Sequence, residues 1–149
     1  MAMGDHQHRA KLIKTHLSMS NSILPASSAL HSEAHQKIGE VEIEVTTIDH
    51  FCAEYKIEAI DLLKTDCQGF DLRVLKGAAR MLTDRRIHLI QCEGAFVLEY
   101  EGQGWFYEIL QFLTEMGYVP VSFGEPARNA HHEAMWADVL FKRRESPQP

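Results

Sequence analysis

At 149 residues, 45% of them hydrophobic and 24% charged, the chain has the composition of a single globular domain, which argues against disordered, fibrous and membrane-spanning classes. A formal net charge of -6 leaves no global positive field to hold a nucleic-acid backbone, and favours a small uncharged or cationic partner. Cys52, Cys67 and Cys92 form no CxxC pair and no apolar run approaches the roughly 18 residues of a membrane helix, so the expectation is a soluble, cytoplasmic protein without disulfides or a membrane partner.

From Met1 to Gly39 the chain is rich in Ser, His and Ala with little apolar periodicity, and reads as a flexible arm; Arg9, Lys11 and Lys14 there hint weakly at a targeting leader. Val41-Glu42-Ile43-Glu44-Val45 alternates with period two, the pattern of an exposed or edge strand. Thr47 is suited to cap a short helix whose Ile48, Phe51, Cys52 and Tyr55 share one face. Ile60 to Thr65 has the form of a largely buried strand that stops at the Asp66 to Gly69 turn. A helix follows, with Val74, Leu75, Ala78, Met81 and Leu82 on one stripe and Asp71 at its positive end.

The run Ile87 to Cys92 repeats that layout as a second strand ending at Glu93-Gly94. Trp105, Phe106, Ile109, Leu110, Phe112, Leu113 and Met116 mark an amphipathic helix closed by Gly117. Val119, Val121 and Phe123 form a strand, Met135 to Phe141 another, and the two are expected to pair antiparallel. Strands alternating with helices point to an α/β layer with parallel strands joined by crossovers. The expected organisation is an arm over 1–39, a domain over 40–142 and a disordered tail over 143–149.

In such sheets ligands gather beyond the carboxyl ends of the strands. The residues to watch are therefore Asp66, Cys67 and Gln68 after one strand, and Glu93 and Gly94 after the next. A carboxylate there can take a proton, orient an amine or bind a cation, while the plain alternative is that Asp66 caps the following helix. Gly69 suits either a tight turn or a close backbone approach. His31 and His35 have metal-ligand spacing and His131 and His132 are adjacent, but no Cys or acid completes a ligand set, so no metal is expected. His88 reads as a structural histidine, the Trp105, Phe106 and Phe112 aromatics as core, and Arg85-Arg86 and Lys142-Arg143-Arg144 as solvated surface.

The block Ile60 to Ala78 resembles the most characteristic stretch of FkbM-type methyltransferases, DLLK-x-D-x-[EQ]-G-[FY]-[DE]-L-x-VLKGA. Thr47-Ile48-Asp49-His50-Phe51 is similar to the family's helix start, and Ser20 to Pro25 to its Ser-rich segment. Phe106 to Leu110, Met116-Gly117-Tyr118 and Ala137 to Phe141 are similar to its last helix and terminal strands. The resemblance implies a Rossmann-like sheet that moves the methyl group of S-adenosylmethionine to a hydroxyl of a small-molecule or glycan acceptor. It places Asp66 and Gln68 by the methyl group, Gly69 in the turn, and Glu93 at the acceptor pocket. Where many relatives have Glu, this chain has Gln68, which leaves hydrogen bonding rather than acid-base chemistry there.

Relatives of this type begin with a strand, a Gly-rich turn and a ribose-binding acid. No Gly-x-Gly precedes Ser20, so the resemblance covers the C-terminal portion, and the expectation is a sheet truncated at its N-terminus. The alternative to an enzyme is a non-catalytic α/β module that pairs through an open sheet edge. A phospho-acceptor role for Asp66 is disfavoured, since no acidic pair follows an earlier strand. Oligomeric state is left open.

Overall fold

The computed structural model describes residues 1–28 and 33–145. It divides into a small sheet and a larger one with helices. The small sheet holds β1 (Ala2–Met3), β2 (His8–Thr15) and β3 (Lys37–Thr46) in the order β1-β3-β2. β2 runs antiparallel to β3, with Ala10 opposite Ile43 and Leu12 opposite Val41 on one face. Arg9 faces Glu44 and Lys11 faces Glu42 on the other. The complementary charges and apolar pairs both favour this register.

Two expectations are corrected here. The segment read as a flexible arm over 1–39 carries two strands and a 3-10 turn at Ser18–Ser20, because pairing with β3 supplies the partners that β2 lacks on its own. The strand read as exposed or edge lies between two neighbours and so is no edge, while most of its side chains are exposed.

After β3, Thr47 caps α1 (Ile48–Glu54) as expected, its side chain accepting from the His50 N–H at 3.0 Å. β4 (Ile60–Lys64) leads through the turn to α2 (Asp71–Lys76) and α3 (Ala79–Thr83). The sequence predicts one helix where the structure has two. The chain breaks at Gly77, where an added Cβ would lie 1.9 Å from the Gly4 carbonyl oxygen. Asp49 starts the second helix by accepting from the N–H groups of Arg80 at 2.8 Å and Met81 at 2.9 Å.

β5 (Ile87–Ala95) is followed by α4 (Phe106–Glu115), β6 (Tyr118–Phe123), β7 (Ala127–Arg128) and β8 (Ala134–Arg143). At the start of α4, Glu108 reaches back to accept from the Trp105 N–H at 2.8 Å, and Gly117 ends the helix with a φ of +84°. The larger sheet has the order β4-β5-β8-β6, with β7 on β8. β6 and β8 pair antiparallel as expected. Within this sheet the parallel arrangement is confined to β4 and β5; the contacts of β8 are all antiparallel, so the sheet is mixed rather than mostly parallel. Arg143 closes β8 instead of opening a disordered tail, and 146–149 lie outside the described residues.

The core sits on one face of this sheet. Ile90, Cys92, Val139 and Phe141 from β5 and β8 pack with Leu75 of α2, Leu82 of α3 and Leu113 of α4, all fully buried. Burial of this kind stabilises by about 25 cal/mol per Å² of apolar surface removed from water.

Candidate active site

The register of the two parallel strands sets the site. Lys64 lies opposite Gln91, so continuing two residues along each chain brings Asp66 alongside Glu93 at the same end of the sheet. Both line one cavity of about 350 Å³ with Gln68, Glu99, Tyr100 and Trp136. Glu93 is still within β5, which runs three residues past the Ile87 to Cys92 pattern of the sequence, to Ala95. Its carboxyl makes no hydrogen bond among the described residues and is half-buried.

Glu93 is the electrostatically unusual member. Burial raises its carboxyl first, and the nearby negative groups Asp71, Asp66, Glu99 and Asp138 raise it further, to about 8. Burial also raises Glu99. Asp66, by contrast, is exposed and held by two donors: Lys64 Nζ to Oδ2 at 3.4 Å, and Gln68 Nε2 to Oδ1 at 3.1 Å.

The turn itself is tightly specified. Gln68 and Gly69 both have positive φ, +49° and +86°. A Cβ on Gly69 would come within 3.1 Å of the Tyr100 ring and 3.2 Å of Gln103, so both backbone conformation and space favour glycine. Asp71, not Asp66, serves the loop amides, accepting from the Cys67 N–H at 3.2 Å. Asp71 is 3% exposed and burial raises its carboxyl; the Thr65 hydroxyl lies close enough to oppose that rise, but forms no hydrogen bond of regular geometry with it. Burial, then Asp71, pushes the Cys67 thiol up to about 12, so it stays protonated and is no nucleophile.

Three residues that shape the site were not singled out from the sequence pattern. Tyr100 donates from its hydroxyl to Gln68 Oε1 at 2.8 Å. Gln103 Oε1 accepts from the Glu99 and Tyr100 N–H groups at 2.9 and 3.1 Å, folding their loop over the turn. Ser22 donates to the Gln68 carbonyl at 2.7 Å and so joins the N-terminal strands to the turn. For Ser22 the signal was the Ser-rich stretch beside Pro25; for the other two, in a loop without period, there was none.

The model of the methyltransferase FkbM domain matches residues 2–120 of the chain. The chain belongs to the FkbM methyltransferase domain family. Curated proteins and solved structures were both searched, and neither search gave a match. The matched range begins at Ala2, so the β1–β3 sheet lies within the FkbM domain and a boundary at residue 40 falls inside it.

Of the other candidates of the sequence, His88, His131 and His132 do not line this cleft. Among the described residues no group of three His, Cys, Asp or Glu side chains is placed to hold a metal, and His31 lies outside them. His35 does line the acidic cavity. No helix among the described residues is long and apolar enough to cross a membrane. A more apolar cavity of about 440 Å³, walled by Leu12, Phe51, Ile60, Leu63 and Phe70, opens beside β4 and contains no carboxyl group.

Proposed function

We propose that this FkbM-family chain transfers the methyl group of S-adenosylmethionine to a hydroxyl oxygen of a small-molecule or glycan acceptor, within a Rossmann-like framework. The observation that carries the reading is the pairing of Asp66 and Glu93 in one cavity at the end of two parallel strands. The donor fits this end of the cleft on its chemistry. Three carboxyl groups line the wall without a Lys or Arg among them, which suits a positive sulfonium. Asp66 and Gln68 would hold the methyl-bearing end. When bound, S-adenosylmethionine supplies a methyl group already activated by its positively charged sulfur.

The chain's own residues then have two tasks. Asp66, with both oxygens fixed by Lys64 and Gln68, is the orienting carboxylate. Glu93, without a hydrogen-bond partner among the described residues and titrating near 8, is the group suited to take the proton of the acceptor hydroxyl. A wall lined by three carboxyl groups also disfavours acceptors carrying carboxylate or phosphate groups.

Titration calorimetry of the chain with S-adenosylmethionine tests the reading. Saturable binding supports it; no heat of binding at millimolar donor removes it. A second reading, an interaction module without catalysis, draws on one feature. Among the described residues β4 has a neighbour on one side alone, which leaves a strand edge beside the apolar cavity. A stable monomer in light scattering counts against that reading.

A further inference from the structure

The amide of Gln68 stands between two groups with different demands. Asp66 Oδ1, 3.1 Å away, can only accept while ionised, so the Gln68 Nε2 must face it. The opposite orientation would set two acceptor oxygens against each other. Gln68 Oε1 therefore faces Tyr100, and the Tyr100 hydroxyl must donate, at 2.8 Å. Burial and the neighbouring Glu99 and Glu93 push that phenol up to about 12, so the proton stays in place to be donated. Tyr100 is itself 4% exposed, and its ring rests against Gly69. The Gln68 backbone, in the left-handed region, is tied down separately by Ser22.

We infer that Tyr100 is a positioning residue of the methyl-transfer site, acting through Gln68 to hold the Asp66 carboxylate in one orientation at the mouth of the cleft. The inference rests on the methyl-transfer reading and extends it to a residue outside the matching sequence block. It also accounts chemically for glutamine at position 68. An amide donates to one neighbour while accepting from the other, and an ionised glutamate cannot. Tyr100 does not serve as the proton acceptor, because its own proton is committed to Gln68.

The test is a double-mutant cycle read by S-adenosylmethionine affinity, joined to NMR of the Gln68 side-chain amide. Tyr100→Phe keeps the ring and removes one hydroxyl, and it is expected to weaken donor binding about tenfold, the equivalent of one lost hydrogen bond. Gln68→Met should weaken it at least as much, since Gln68 also faces the donor, and the double variant should bind no worse than Gln68→Met alone, because Tyr100 then has nothing to hold. Additive losses would show that Tyr100 acts by another route and overturn the inference, as would a Tyr100→Phe chain that binds like the parent. The amide signals keep the relay separable from the donor. They should be fixed in the parent and averaged in Tyr100→Phe even without ligand, and equal mobility in both overturns the relay whatever the donor does. If the parent itself binds no donor, the methyl-transfer reading fails, and the role of Tyr100 in it fails too.

Discussion

Glu40 and Glu93 are the same residue in opposite circumstances. On the open face of the β2–β3 ladder, Glu40 accepts from Lys37 Nζ and from Lys11 Nζ, and these hydrogen bonds hold its carboxyl below the ordinary range. At the end of β5, Glu93 has burial and four negative neighbours and no donor among the described residues, and it is held above that range. The ladder's charges meet in solvent, Lys11 with Glu40 and Arg9 with Glu42 across the strands and Lys37 with Glu40 along β3. The cleft keeps a carboxyl unpaired, which costs stability and leaves a group able to exchange a proton near neutral pH.

The largest effect should come from removing that exchange. Glu93→Gln retains shape and polarity, and turnover of S-adenosylmethionine with a hydroxylated acceptor should fall by about 10²-fold or more. In the parent, turnover should rise with pH to about 8 as Glu93 becomes the base form. A profile without a step in that region would contradict the assignment.

Stability gives a smaller effect of opposite sign. A carboxyl raised in the folded state binds its proton more tightly there than when unfolded, so its contribution is unfavourable once pH exceeds the unfolded value, and grows until pH passes about 8. Glu93→Gln should therefore stabilise the chain at pH 9 by on the order of 1–2 kcal/mol, a figure discounted for partial exposure, and by nothing measurable at pH 4. Urea unfolding at the two pH values checks it.

The smallest effect belongs to the ladder. Lys11→Ala removes one of two donors to an exposed carboxylate, and the urea midpoint should be indistinguishable from the parent once salt is added. A clear loss of stability at high salt would mean that the ladder charges do more than set register.

The two regions also differ in how far the sequence made them legible. The turn from Asp66 to Gly69, the cap at Thr47, α4 with Gly117 and the β6–β8 pair all rest on signals local to a few residues, and the structure has each of these elements. β2 was missed because Ala10 and Leu12 are weak alternation until β3, about thirty residues on, supplies Ile43 and Val41 opposite them. The break at Gly77 depends on the approach of Gly4, and the Asp71 link to Cys67 depends on how the turn closes. Tyr100 and Gln103 reach the site from an aperiodic loop, so their roles exist only in three dimensions.

The most direct measurement is the titration of the Glu93 side-chain carboxyl by ¹³C NMR, in the parent and in Asp66→Asn. A midpoint near 8 that falls when Asp66 loses its charge places the two groups in one low-dielectric cleft. A midpoint at the ordinary glutamate value, indifferent to residue 66, would contradict it.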